Sequence, residues 1–298
     1  MNTLITLVRR EFWEHRYLWI WPFVIAGFLI LVSAIGSGYS GGAGVHIEIN
    51  GEEHRFLDAL TPEKRVALFG VLIGGLLVPQ IIGMLLTVSV YVIDCLYAER
   101  KDRSILFWKS LPVSDAQTVG AKFLTAVGAV PLLVYAVSVV TSLICYVLLT
   151  MRFASTAFAG AASWDTLTWV STQGILLLDM LIAALWYAPL VAALMAASAW
   201  VRRNPYLWIT LAPLVVMFVE RRTFGTNRFA QFLEYRLTGF FSALGPAVTR
   251  HAMPGVASLG EGLNATRLLA SPDLWLGAVA AAGLLWLATR LRRYNDDT

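Results

Sequence analysis

Long apolar stretches recur along the chain, separated by short clusters of polar and charged residues. The first covers 17–37, with Trp19 and Trp21 at the position where aromatic rings anchor a helix in the membrane interface. The second covers 66–93 and is opened by Thr61-Pro62-Glu63, a capping hydroxyl followed by Pro in the first turn. The third covers 120–149, and Ser114 to Gln117 just before it has capping-box spacing. The fourth covers 172–200. A fifth starts at Asn204-Pro205, and a sixth runs from Ser271-Pro272-Asp273 to 290. A hydrocarbon core about 30 Å thick takes roughly 20 apolar residues per helical span. The fifth stretch is the exception, because its apolar part, 206–219, reaches only about 21 Å at 1.5 Å per residue. Glu220, Arg221 and Arg222 follow it directly.

Charge placement keeps that short crossing. Arg9, Arg10 and Arg16 precede the first stretch. Arg100, Lys101, Arg103, Lys109 and Lys122 lie between the second and third. Arg202 and Arg203 lie between the fourth and fifth, and Arg290, Arg292 and Arg293 lie at the end. With six crossings all four clusters fall on one side, the cytoplasm by the positive-inside rule. The expectation is therefore an all-α integral membrane protein with six transmembrane helices and both termini cytoplasmic. Glu220 to Arg222 then sit at a thinned or water-filled outer edge, or snorkel to it.

Two outer segments complete the pattern. Within 38–65, the run 45–56 alternates about Asn50-Gly51, a strong two-residue hairpin turn. That register sets Glu48 opposite Glu53 and His46 opposite Arg55, which reads as a solvated face rather than a metal site. The glycine-rich stretch 36–44 before it is a flexible link. Within 220–272, Phe229, Phe232, Leu233, Leu237, Phe240 and Phe241 recur at helical spacing, but Glu234 and Arg236 spoil it as a span. It is expected to be an interfacial or re-entrant helix.

Composition sharpens this. Of 298 residues 58% are hydrophobic and 14% charged, against about 25% charged in soluble domains. The mean hydropathy is +0.67. No separate soluble domain fits, and 1–298 reads as one membrane domain. The net charge of +4 follows from the orientation signal and does not point to nucleic acid. Cys95 and Cys145 have no metal-like spacing. The first apolar run is too long for a cleaved signal and reads as an anchor. The chain lacks G-x-x-x-x-G-K-[ST], H-E-x-x-H and G-x-S-x-G, which argues against an enzyme with its own nucleotide or catalytic centre.

Asp179, in Leu176-Leu-Leu-Asp179-Met, is costly inside a span. Either it belongs to a substrate path or interhelical polar contact, or the helix starts late and Asp179 sits near the outer interface. Pro79, Pro131, Pro189 and Pro213 are candidate kinks.

The segment 94–117 is too apolar for a floating loop. Ile105, Leu106, Phe107 and Trp108 lie between Arg100 to Arg103 and Lys109, followed by Leu111, Pro112 and Val113. Such a cationic, apolar helix suits the headgroup region or a groove on a soluble partner.

The run 99–114 together with Lys122 resembles the cytoplasmic loop of ATP-binding-cassette permeases of the type-2 exporter class. Glu99, Arg100, Ser104, Ser110, Leu111, Pro112 and Lys122 fill the places of that loop's Glu-Arg pair, Thr-like step, Ser-Leu-Pro and the Lys opening the third helix. Arg103 stands where the family commonly has Gly. The N-terminal residues 1–16, with Leu4, Ile5, Val8 and Phe12 on one face, are similar to the family's interfacial connecting helix. The sharp motif covers about twenty residues and the general topology the whole chain.

The resemblance implies a permease half in a bacterial plasma membrane that pairs with a second permease copy among the membrane lipids. It also implies a separate ATPase subunit that holds ATP and magnesium and meets Glu99, Arg100, Ile105 to Trp108, Leu111 and Pro112. This chain would bind no cofactor. The alternatives are an ion-coupled secondary transporter using Asp179 and Glu220, and a membrane assembly or sensor protein that transports nothing.

Overall fold

The computed structural model describes residues 3–35, 46–49, 52–55, 77–102, 113–153, 166–201, 203–251 and 265–294. The helices are α1 (Thr3–Glu14), α2 (Tyr17–Ile35), α3 (Leu77–Asp94), α4 (Tyr97–Lys101), α5 (Asp115–Leu124), α6 (Val130–Phe153), α7 (Thr166–Trp200), α8 (Pro205–Phe224), α9 (Arg228–His251), α10 (Ala265–Ala270) and α11 (Pro272–Tyr294). Strands β1 (His46–Ile49) and β2 (Glu52–Arg55) pair antiparallel, with His46 opposite Arg55 and Glu48 opposite Glu53. Among the described residues, five helical segments are long and apolar enough to cross a membrane: Tyr17–Ile35, Leu77–Lys101, Asp115–Met151, Gln173–Trp200 and Pro272–Tyr294. The chain is thus a multi-pass helical membrane protein. Much of the apolar surface of these helices is exposed, including Phe28, Leu86, Leu276 and Val279, as a lipid solvent allows.

Local sequence sets most of the helix ends. Ser114 closes a full capping box with Gln117, so the third crossing starts at Asp115 rather than at 120. A π-helical turn, Thr125–Ala129, joins α5 to α6. It lies just before Pro131, whose ring removes the donor that would reach the carbonyl of Val127. The helix of the fourth crossing begins at Thr166, and its apolar span begins at Gln173, close to the 172 read from sequence. Asn204 does not cap α8 with its side chain. It takes a left-handed backbone with φ 46°, and Pro205 supplies the first turn. Ser271 likewise serves α10, its Oγ donating to Leu268 O. The opening signal at Thr61-Pro62-Glu63, the glycine link at 36–44 and the Asn50-Gly51 turn lie outside the described residues.

Helix α8 carries Glu220, Arg221 and Arg222 in its last turns, which keep it from qualifying as an apolar span. Gly225 ends it at φ 65°, a conformation open to glycine without strain. The Glu220 carboxylate then accepts from Thr226 Oγ1 at 2.7 Å, Arg228 N at 2.7 Å and Phe229 N at 2.9 Å. Glu220 therefore caps the following helix instead of pointing away. That helix, α9, is longer than its apolar repeat indicated, reaching His251.

Helices α7 and α11 form the largest helix–helix contact. Ile182 and Trp186 meet Leu274, Ala188 and Ala192 meet Ala281, and Met195, Ala196 and Ala199 share a cluster with Ala288. The pairing rises in step along both chains, so the two helices run parallel, and small side chains let their backbones approach. At one end of the bundle Leu18, Leu96, Val119, Ala199 and Ala288 pack together. There α2, α5 and α8 begin and α3, α7 and α11 end. At the other end α9 seats on α7 and α11. Trp186 Nε1 donates to Arg236 O at 3.0 Å, and Arg236 lies over the Trp186 ring at 4.8 Å while donating to Asp273 O at 2.8 Å.

Candidate functional site: a buried ionic node

Helix α1 is amphipathic, and Val8 and Phe12 of its apolar face are half-buried, Phe12 against the core. Leu7 and Glu11 are buried, whereas Leu4, Ile5 and Trp13 are exposed. Glu11 is thus carried into the bundle end, at 2% exposure. The last turn of α5 carries Lys122 to the same point, at 1% exposure. Lys122 Nζ donates to both carboxylate oxygens of Glu11 at 2.9 Å. Tyr91 of α3 adds its hydroxyl, donating to Glu11 Oε2 at 2.8 Å.

The second anion is Glu99 of α4. Its Oε1 lies 3.1 Å from Lys122 Nζ and 3.5 Å from Arg10 Nη2. Its Oε2 lies 3.0 Å from Arg292 Nη2 of α11. Arg292 Nε reaches Asp115 Oδ1 of α5 at 3.2 Å. Two buried carboxylates, Glu11 and Glu99, therefore face two buried cations, Lys122 and Arg292. Desolvating each ion costs several kcal/mol, recovered only while all the partners stay in place. The node joins α1, α4, α5 and α11 by ion pairs and α3 by the Tyr91 hydroxyl, so none of the four ion-paired helices can shift without re-pairing charges.

Arg100, next to Glu99, turns the other way. Its Nη2 donates to Ser198 O at 2.5 Å and Val201 O at 2.9 Å, carbonyls left free at the C-terminus of α7. Tyr97 N donates to Ser198 Oγ at 3.1 Å. The short helix α4 is held by ion pairs on one side and by α7 on the other.

Burial alone would raise the Glu11 carboxyl, but the charge and hydrogen bonds of Lys122 outweigh it and hold Glu11 below its ordinary value. Burial lowers His15, which stacks edge-on against Tyr17 and Tyr91. Glu11, Glu14 and His15 each bring a donor atom within 4.8 Å of the others. That grouping is already committed, since Glu11 binds Lys122 and Glu14 accepts from Arg10 Nε at 2.7 Å.

Comparison with family models, with curated proteins and with solved structures finds no match to this chain.

Of the residues singled out from sequence, Glu99 and Arg100 are brought together with Lys122 at the node and its border. Ile105, Leu106, Phe107, Trp108, Leu111 and Pro112 lie outside the described residues, which resume at Val113. Asp179 is not near the helix start: α7 begins at Thr166, and Asp179 is buried well inside it, which removes the late-start reading. It lies apart from the node, on a cavity between α3, α6 and α7. Sequence reading missed Glu11 and Tyr91, and saw Arg292 only as an orientation charge. One signal was present. A lysine inside the third apolar stretch demands an anion, and Glu11 is the acidic residue on the inward stripe of the adjoining amphipathic helix.

Proposed function

We propose that this chain is the permease subunit of an ATP-driven exporter of the ATP-binding-cassette type. The supporting observation is the buried ion pair of Glu99 and Lys122, the one before and the other after residues 103–112 in sequence. The same pair reaches α1 through Glu11 and α11 through Arg292. A push on residues 103–112 by a docked ATPase is thereby delivered to four helices at once, and to α7 through Arg100. In this reading the node is the element that switches, its buried charges re-pairing as the helices move.

In this reading both termini, the node and the 94–117 segment are cytoplasmic, and the membrane is the bacterial plasma membrane. The parallel run of α7 and α11 supports six crossings, with α8, which begins where α7 ends, as the return between them. Its short apolar length is then matched by local thinning at Glu220 to Arg222. The hairpin β1–β2 and helix α9 are external. A second permease copy pairs with this one, lipids cover the remaining apolar surface, and ATP with magnesium resides on the partner ATPase. The chain itself is not an enzyme and holds no cofactor.

The test is co-expression with candidate ATP-binding-cassette ATPase subunits from the same genome, followed by co-purification and ATPase stimulation. Phe107→Ala with Trp108→Ala is expected to abolish stimulation while leaving the membrane fold intact. Full stimulation and transport in that variant would rule out the docking assignment. A second reading, an ion-coupled carrier, draws on the burial of Asp179 beside a cavity. It predicts uptake or efflux driven by an ion gradient with no ATPase present.

A further inference from the structure

A cavity of about 250 Å³ lies among α3, the π-helical turn, α6, α7 and the aromatic pair Phe240-Phe241 of α9. Its wall is apolar almost throughout, with Met84, Val134 and Met180 typical. The hydroxyls of Tyr135, Ser138 and Tyr187 in that wall each donate to a backbone carbonyl, and two further polar groups break it. Gln80 of α3 is 3% exposed and Asp179 of α7 is 8% exposed. Gln80 Oε1 and Asp179 Oδ1 are both buried, and neither has a hydrogen-bond partner among the described residues. Both atoms are acceptors. Among the described residues, no Lys, Arg or His lines the cavity.

A buried acceptor without a donor is costly, and a buried carboxylate without a cation more so. Two such atoms on facing helices at one cavity call for the same complement, a donor carrying positive charge. Tyr135, Tyr187, Phe240 and Phe241 add π faces, which attract a cation. The volume lies below the roughly 300–1,000 Å³ of drug-sized pockets, so it suits one short chain and a compact head rather than a two-chain lipid. The site is remote from the node. Gln80 precedes Asp94, the last residue of α3, by a helical rise of about 21 Å.

We propose that this cavity binds a small single-chained amphiphile with one hydrogen-bond-donating cationic head. Asp179 and Gln80 hold the head, and Met84, Val134 and the Phe240-Phe241 pair enclose the chain. That this amphiphile is the cargo rests on the exporter reading; its binding does not.

The probes are octylammonium, octanoate and octanol, which share a chain and differ in head. Each is titrated by calorimetry and thermal shift against the full-length protein in zwitterionic nanodiscs, with empty nanodiscs subtracted. Octylammonium is expected to bind at least tenfold more tightly than the other two. Asp179→Asn, nearly isosteric, is expected to bring octylammonium down to the level of octanol. Gln80→Leu weakens it severalfold while preserving its advantage over octanoate. Val134→Trp fills the cavity and abolishes octylammonium binding. Equal affinities for the three probes, or an unchanged Asp179→Asn or Val134→Trp protein, overturn the proposal. ATPase stimulation by the partner, measured on the same preparations, separates the two claims. Selective octylammonium binding without stimulation upholds the site and rejects the exporter, while stimulation without selective binding rejects the site alone.

Discussion

Lys122 Nζ stands 3.1 Å from Glu99 Oε1, so the two helices that flank residues 103–112 are fastened to each other by a buried ion pair. The same ammonium holds Glu11 from the far end of the sequence. This geometry makes Lys122 the residue on which the bundle end most depends.

Lys122→Met keeps the length of the side chain and removes its charge. Glu11 and Glu99 then share the site without their common cation, and breaking a buried pair in this way costs about 3–5 kcal/mol. A clear drop in the midpoint of thermal unfolding in detergent is expected. Glu11→Gln added to Lys122→Met should recover part of the loss, because the stranded carboxylate is gone. A melting curve identical to that of the wild type would show that the node contributes nothing to stability.

Arg100→Ala removes two charge-assisted hydrogen bonds from the end of α7. Bonds to charged groups contribute roughly 1.5–3 kcal/mol each, and water recovers part of that at a half-buried site. The variant is expected to fold, with a modest loss of stability and a marked loss of partner-ATPase stimulation. If stimulation is retained in full, α4 does not transmit to α7.

Acidification should loosen α1 in two steps. His15 has a pKa lowered by burial, so the unfolded chain binds its proton more readily than the folded one. Its contribution is complete above the ordinary value of 6.5 and is lost as pH falls through the lowered folded value. Glu11 is also lowered: burial opposes the shift, and Lys122 overcomes it. Its contribution is complete above 4.5 and disappears as pH falls through the folded value. Stability measured against pH should therefore be flat above neutrality, decline below 6.5 and decline again below 4.5. His15→Phe should erase the first step only; persistence of that step would assign it to another group.

Gly277 of α11 is the seat of Arg236. A Cβ at Gly277 would lie 2.5 Å from Arg236 Nη2 and 3.1 Å from its Cζ. The guanidinium is pinned by Asp273 O and by the Trp186 ring, so it cannot move aside without losing both. Gly277→Ala is expected to cost about 1.5–3 kcal/mol, the scale of a hydrogen bond to a charged group. Gly283→Ala on the same helix meets nothing within 4 Å and should stabilise by up to about 1 kcal/mol through helix propensity. Equal effects at the two positions would show that Arg236 does not hold α9 in place.

Helix positions were legible because their signals are local. The capping box at Ser114 and Gln117, the Pro at the start of α8 and the apolar lengths of α2, α6 and α7 act within a few residues. The reach of α9 to His251 was not legible, because its apolar repeat fades after Phe241 while the backbone continues. The role of Glu220 was hidden for a related reason. Its three hydrogen bonds exist only once Gly225 has turned the chain back on itself.

By itself, the sequence determined that this is a helical membrane protein and which stretches form its long helices, since a hydrophobic span has to match the thickness of the bilayer residue by residue. Its resemblance to a permease loop also singled out Glu99, Arg100 and Lys122 along with residues between them. Only the tertiary structure decided what Glu99 and Lys122 meet. Glu11 meets Lys122 across 111 positions, Arg292 arrives from the last helix, and Asp179 is buried on a cavity away from both. Periodicity tells which face of a helix is apolar, but not which neighbour that face touches or at what height, and the pairing of buried charges depends on both.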